Sequence, residues 1–152
     1  YLDPDARGVF FGLSAIHERR HLIRAVLEGV AYSQAQCVDI FRENQADISD
    51  MIITGGGGRS AVWRQMLADL YAIPVRTLQV DQGGALGAAI LAGVGAGVFT
   101  SIEEACERLI HYREQQEPDM DTHAQYQPSF ALYKDLYGPL APMYKRLAAM
   151  ES

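Results

Sequence analysis

Short apolar runs alternate with stretches of helical periodicity along the first half of the chain. The runs at residues 6–14, 50–54 and 74–80 are rich in aromatic or β-branched residues and lie beside glycine or proline, which predicts β-strands. Apolar residues at three- and four-residue steps predict helices over residues 21–44 and 60–72. Strands that alternate with helices in this way predict an α/β fold, with helices crossing over between parallel strands.

The recurring positions of these two predicted helices define one apolar stripe on each. In residues 21–44 they are Leu22, Val26, Gly29, Val30, Ser33, Cys37 and Ile40, and in residues 60–72 they are Val62, Met66, Leu67 and Leu70. Such a stripe is typical of a helix that covers a core.

Two further helices are predicted near the middle of the chain. Residues 85–97 follow the pair Gly83-Gly84 and consist almost entirely of alanine, glycine and aliphatic residues. A helix with so little side-chain bulk is expected to lie close to a neighbour. Residues 100–110 have the pattern of a capped amphipathic helix.

The last forty residues predict a polar linker and a helical end. Residues 113–129 are polar, which predicts a surface connection. Residues 130–150 have a helical pattern, in which Pro139 and Pro142 predict a break or a kink.

Composition and charge exclude several classes of function. At 152 residues the chain fits one domain, and its formal net charge of −6 offers no basic surface for nucleic acid or an anionic membrane. The most apolar stretch, residues 85–98, is too short and too rich in glycine to span a bilayer. No signal peptide is visible, so the cytoplasm is the expected location. The chain begins at Tyr1, inside an apparent turn, which suggests a fragment.

The segment TGGGGRS, residues 54–60, is the strongest candidate for a binding site. Four successive glycines are costly to order, so the loop needs a reason to exist. A phosphate-binding Walker A loop requires Gly-Lys before its Ser or Thr, and Arg59 stands there instead. Residues 56–61 do satisfy the dinucleotide fingerprint G-x-G-x-x-A, with Asp81 placed as a ribose ligand at the end of the next strand. A tight turn that binds nothing is the third interpretation.

The side chains next to the glycines also allow two interpretations. Ser60 is placed to cap the helix that follows, and its hydroxyl is equally placed for a polar contact to a ligand; the two roles can coexist. For Trp63 the sequence favours packing in the core over stacking on a base. For Arg59 it favours a solvated side chain over a phosphate ligand.

Three segments carry a resemblance to one family. The segment GVFFGLSAIHERRHLIRAVLE, residues 8–28, resembles the second signature sequence of the FGGY carbohydrate kinases. Residues 54–75 are similar to the adenosine-binding segment of these enzymes, and residues 84–99 to the helix that follows it. The resemblance implies an actin-like, ribonuclease-H-like α/β domain with a partial sheet, crossover helices and a helical C-terminus. Residues 1–152 would be the C-terminal nucleotide-binding domain of a sugar kinase, with the N-terminal domain absent from this chain.

The resemblance also implies a reaction and its participants. The parent protein would use ATP and Mg²⁺ to phosphorylate a ketopentose, with D-xylulose as the expected sugar. Gly56 and Ser60 would contact the adenosine, while Gly55, Gly57 and Gly58 shape the loop. The catalytic aspartate, the sugar contacts and the phosphate-gripping hairpin lie upstream of the matched segments in this family. No catalytic or metal-binding residue is therefore assigned here, and magnesium would be held through the phosphates and the other domain.

Two rival functions and one surface property complete the expectations. The rivals are a non-catalytic interaction or nucleotide-binding module and a Rossmann-type dinucleotide-binding unit. Without its partner domain, the chain is expected to expose the helix over residues 85–97 and the segment around Phe10 and Phe11. Exposed apolar surface of this kind favours self-association.

Overall fold

Three strands and five helices make up the described part of this chain. The computed structural model describes residues 3–79 and 83–151. The elements are α1 (Arg19–Glu43), β1 (Met51–Ile53), α2 (Ala61–Tyr71), β2 (Val75–Leu78), α3 (Gly83–Gly95), α4 (Ile102–Leu109), β3 (Tyr112–Gln116) and α5 (Met120–Glu151), with a 3₁₀ turn at Gly56–Arg59. All helices predicted before residue 112, and the strands predicted at 50–54 and 74–80, are confirmed with ends that differ by two residues or fewer.

The sheet has the order β1-β2-β3. Strand β1 runs parallel to β2, with Ile53 opposite Thr77, and α2 makes the crossover between them. Strand β3 pairs antiparallel with β2, with Val75 opposite Gln116. Because β1 and β2 are parallel, their carboxyl ends lie at the same edge of the sheet. The glycine loop, which follows β1, lies at that edge.

The core surrounds α2, which packs against α1, α5, β2 and β3. The side chains of Met66, Leu67 and Leu70 are each 3% exposed. Tyr71 is 1% exposed, and its hydroxyl donates to Oε1 of Gln34 on α1 at 2.9 Å. Burial raises the pKa of Tyr71 well above its usual value, so this hydroxyl remains a donor at any physiological pH.

The apolar stripe that predicted α1 lies mostly on the exposed side of the helix. The helix itself is confirmed, but Val26, Val30 and Ile40 are 53%, 48% and 56% exposed. Its buried side chains are Ala31, Tyr32, Ala35 and Val38. Helix α1 thus has two apolar sides, and periodicity alone could not tell which one faces α2 and α5.

The strand predicted at residues 6–14 is wrong. These residues have no regular secondary structure, and Phe10 and Phe11 are 50% and 64% exposed. A strand exists only with a neighbour to receive its backbone hydrogen bonds, and within the described ranges none of the three strands pairs with this segment.

The polar surface connection predicted over residues 113–129 is also wrong. It contains most of strand β3 and the first three turns of α5. The sequence did not predict strand β3, because YREQQ lacks an alternation of apolar and polar residues. The strand lies at an edge of the sheet, where few of its side chains are buried. The carboxylate of Asp69 on α2 receives the backbone N–H of Asp119 at 2.9 Å, which fixes the approach to α5.

Of the break or kink predicted near Pro139 and Pro142, the break does not occur. Helix α5 continues through Pro128, Pro139 and Pro142. All three prolines lie on its exposed side, where water reaches the carbonyl groups that lose a hydrogen bond.

The small-residue helix α3 packs mainly against α4, and Ile90 is its one buried residue in the described range. Close packing occurs at Gly93, where an added Cβ would lie 2.7 Å from the Phe99 ring. Among the described residues, no helix combines the length and the apolar character needed to cross a membrane.

Candidate functional site

The glycine loop turns sharply at the end of β1. Gly55 has φ 79° and ψ −168°, a conformation that is accessible only to glycine without strain. The 3₁₀ turn then begins at Gly56, with the Gly58 N–H donating to the Gly55 carbonyl at 3.1 Å. The Ser60 N–H donates to the Gly57 carbonyl at 3.2 Å and closes the turn.

The four glycines are needed for different reasons. A Cβ on Gly57 would lie 3.2 Å from Nε1 of Trp63, and one on Gly58 would lie 3.2 Å from Cγ2 of Ile53. A Cβ on Gly56 would meet nothing within 4 Å. Gly57 and Gly58 therefore allow the loop to pack against its own domain, whereas Gly56 presents bare backbone to open space.

Ser60 is the N-cap of α2, as the first of its two interpretations requires. Its hydroxyl accepts from the Trp63 N–H at 3.2 Å. Trp63 is half-buried and packs against the core cluster, while Arg59 is exposed. The structure thus brings the glycines, Ser60 and Trp63 together at one corner of the sheet.

Sequence reasoning missed Arg64, whose side chain donates a hydrogen bond to the loop. Its side chain is only 4% exposed. Nη1 donates to the Gly58 carbonyl at 2.7 Å, Nε donates to Oε1 of Gln116 at 2.6 Å, and Nη2 pairs with the Glu114 carboxylate. The available signal was an arginine inside the apolar stretch AVWRQMLADL, where a charge needs a buried partner.

A polar pocket of about 290 Å³ lies between the loop and the strands β2 and β3. Gly55, Arg59 and Arg64 line it on the loop side, and Thr77 and Glu114 line it on the sheet side. The Thr77 hydroxyl is buried and has no hydrogen-bond partner among the described residues. This corner of the molecule therefore has unused hydrogen-bonding capacity.

An apolar cleft of about 630 Å³ lies on the other side of the loop, between α1, β1 and α2. Phe41, Ile52 and Trp63 contribute to its walls, and Gly57 lies at its rim. The loop thus separates a polar pocket from an apolar one.

A metal centre would require the described carboxylates to lie in a suitable arrangement of ligands. Across residues 3–79 and 83–151, no group of three or more His, Cys, Asp or Glu side chains is arranged to hold an ion. Asp81, the ribose ligand of the dinucleotide interpretation, lies outside the described residues.

Comparison with known proteins gives one consistent result. A model of the FGGY family of carbohydrate kinases, C-terminal domain, matches residues 1–96. The xylulose kinase of Bacillus subtilis (strain 168) is 35% identical over 137 residues, which are 90% of this chain and 28% of that protein. The L-xylulose/3-keto-L-gulonate kinase of Escherichia coli (strain K12) is 38% identical over 138 residues, which are 91% of this chain and 28% of that protein.

A solved structure supports the same assignment. Ligand-bound xylulose kinase from Lactobacillus acidophilus matches with a TM-score of 0.87 and 28% identity, over 94% of this chain and 29% of that one. The actin-like α/β fold class is therefore confirmed. The chain spans less than a third of the length of the relatives that it matches. It belongs to the FGGY family of carbohydrate kinases.

Proposed function

We propose that residues 1–152 are the C-terminal, nucleotide-binding domain of an ATP-dependent kinase and that the glycine loop contacts the adenosine of ATP or ADP. The observation that carries the proposal is the backbone of Gly56. It faces open space without a side chain, so a flat ring can approach it within van der Waals distance. Family membership is incompatible with the Rossmann interpretation of residues 56–61.

In this proposal, some residues of the loop shape it and others contact the ligand. Gly57 and Gly58 are occupied by contacts with Trp63 and Ile53, so they shape the loop. Gly56 and the Ser60 hydroxyl remain available at its outer side, and Gly55 supplies the turn that presents them. Adenosine bound here would meet Gly56 first.

The substitution Gly56→Val tests this assignment. Since the added side chain meets no protein atom at its Cβ, the free energy of unfolding should change by less than about 1 kcal/mol. Titration of the chain with ADP, followed through the fluorescence of its single tryptophan, should show binding in the unsubstituted chain and its loss in the variant. In the complete kinase, the KM for ATP should rise strongly and the KM for the sugar much less.

Gly58→Ala is the matched control. Its Cβ would press on Ile53, so it should lower the free energy of unfolding by about 1–3 kcal/mol. If Gly56→Val binds ADP normally, or if it unfolds as readily as Gly58→Ala, the loop is a folding element and the proposal is wrong.

We further propose D-xylulose as the sugar of the complete enzyme. The support is the names of the relatives, which include a xylulose kinase and an L-xylulose/3-keto-L-gulonate kinase. Phosphoryl transfer requires a positioned base and magnesium-bound phosphates. In this proposal the remaining part of the enzyme supplies the base and most of the sugar contacts, and Mg²⁺ is held mainly through the phosphates.

The chain by itself should consequently phosphorylate no sugar. A coupled assay with ATP, Mg²⁺ and D-xylulose should give no signal above background. Turnover at ordinary kinase rates of about 1–100 s⁻¹ would show that the catalytic residues lie within these 152 residues.

A further inference from the structure

Arg64 joins three parts of the fold that are distant in sequence. It lies on α2, its Nη1 bonds the Gly58 carbonyl of the loop, and its remaining donors bond Gln116 and Glu114 on β3. Strand β3 begins more than fifty residues after the loop and leads directly into α5. One side chain thus connects the nucleotide loop to the far edge of the sheet.

The burial of this arginine is costly unless every partner is in place. A guanidinium removed from water needs both charge neutralisation and acceptors for its donors. Glu114 provides the charge, while Gln116 and the Gly58 carbonyl accept two further hydrogen bonds. The rigid fork of the guanidinium sets the separation between the loop and β3.

The glycines supply no side chains to hold the shape of the loop, which is closed by the backbone hydrogen bonds of the Gly58 and Ser60 N–H groups. Glycine loses more conformational entropy on ordering than any other residue, and the loop has four in succession. Apart from the packing of Gly57 and Gly58, it contributes no side chain between Thr54 and Arg59 to fix it. The hydrogen bond from Arg64 to the Gly58 carbonyl fastens the middle of the loop to α2.

We propose that Arg64 is a positioning residue for nucleotide binding. By holding the Gly58 carbonyl against Glu114 and Gln116, it keeps the loop in the shape that presents Gly56 to the adenosine. The proposal rests on the nucleotide-binding function given above, and it assigns Arg64 no contact with the nucleotide.

The test compares Arg64→Lys, Arg64→Met and the control Arg76→Met. Arg76 also links parts of the sheet region, through a 3.0 Å ion pair with Asp50, but its ion pair and ring contact do not involve the loop. Lysine keeps the charge but replaces the fork with a single nitrogen, so it cannot serve all three acceptors with the same geometry.

Two measurements are made on each full chain. The first is hydrogen exchange at the amides of Gly58 and Ser60, whose hydrogen bonds close the turn. The second is the dissociation constant of Mg-ADP, from the fluorescence of Trp63. In Arg64→Lys, both amides should exchange at least tenfold faster, the dissociation constant should rise about tenfold, and amides of α1 and α5 should keep their protection. In Arg76→Met, loop exchange and ADP affinity should stay unchanged.

Each contrary outcome has a distinct meaning. If the loop amides keep their protection in Arg64→Lys, Arg64 does not order the loop and the inference is overturned. If they lose protection while ADP binds normally, Arg64 is structural only, and the inference is again overturned. If the unsubstituted chain binds no ADP at millimolar concentration, the proposed function of the isolated domain fails, and the exchange arm still decides whether Arg64 holds the loop.

Where Arg64→Met does not fold, Gln116→Leu replaces it. This variant removes one acceptor of Arg64 and leaves the charge of Glu114 in place. In this variant the loop amides should exchange faster and the dissociation constant of Mg-ADP should rise. Both changes should be smaller than in Arg64→Lys.

Discussion

The two sides of helix α1 have similar apolar sequences and opposite surroundings. On the inner side, Ala31, Tyr32 and Ala35 are 6% exposed or less, because α2 and α5 cover them. On the outer side, Val26 and Val30 are about half exposed. The difference shows that apolar periodicity reports which faces must be covered and does not report what covers them.

The outer side belongs to a larger surface, which we name the outer groove. It is about 800 Å³ in volume and is lined by Val9, Phe10, Phe11, Val26, Val30 and Leu132, among others. Each of these six side chains is between 48% and 64% exposed.

The whole chain exposes more surface than its mass predicts. Its solvent-accessible area is 10421 Å², whereas a compact monomer of 16.8 kDa exposes about 7,600 Å². The excess is larger than the roughly 1,600 Å² buried in total by a standard protein interface. The inner side of α1 is buried as in a core, whereas the six apolar side chains named for the outer groove are open to solvent.

The sharpest contrast between the two sides should appear in stability. Tyr71→Ala removes a side chain that is 1% exposed and bonded to Gln34, so the free energy of unfolding should fall by about 3–5 kcal/mol. Phe11→Ala, at 64% exposure, should change it by less than about 0.5 kcal/mol. Urea unfolding measures both. Equal losses would show that Phe11 is packed in solution and would remove the contrast.

A smaller effect is expected at the border between the core and the loop. Ser60→Ala and Ser101→Ala each delete an N-cap, since Ser60 accepts from Trp63 N and Ser101 from Glu104 N, both at 3.2 Å. Each should cost about 1 kcal/mol in the free energy of unfolding. Only Ser60→Ala should also weaken ADP binding, as measured by fluorescence titration. Unchanged ADP affinity in Ser60→Ala would leave Ser60 with a capping role alone.

Substitutions in the outer groove should change the free energy of unfolding least and the oligomeric state most. We expect the chain to self-associate through this groove and the exposed helix α3, since apolar patches of this size are rarely left open to water. Light scattering at micromolar concentration should report a dimer or larger. The double substitution Phe10→Ser and Phe11→Ser should shift it towards monomer, while the free energy of unfolding of the monomer, measured at a concentration too low for association, should change by less than about 0.5 kcal/mol.

The contrary result for assembly is equally specific. A clean 16.8 kDa monomer that binds no hydrophobic dye would show that the outer groove closes in solution. The six apolar side chains named for the groove would then be less exposed in solution than in the structure.

The sequence by itself determined the elements whose causes are local. Helix α2 follows from the capping position of Ser60 and the stripe of Met66, Leu67 and Leu70, and strands β1 and β2 follow from short apolar runs beside glycine and proline. The four successive glycines marked the loop as a candidate binding site, because ordering them is costly. The three segments at residues 8–28, 54–75 and 84–99 were also enough to identify the family.

Only the tertiary structure decided the features that depend on a distant partner. Residues 6–14 have strand-forming side chains and no described strand to pair with, while the polar residues 112–116 form a strand because β2 receives their hydrogen bonds. The burial of Arg64 could not be read from the sequence, since its acceptors Glu114 and Gln116 lie about fifty residues away. Backbone pairing and charge burial are settled by three-dimensional neighbours, and a linear pattern does not contain them.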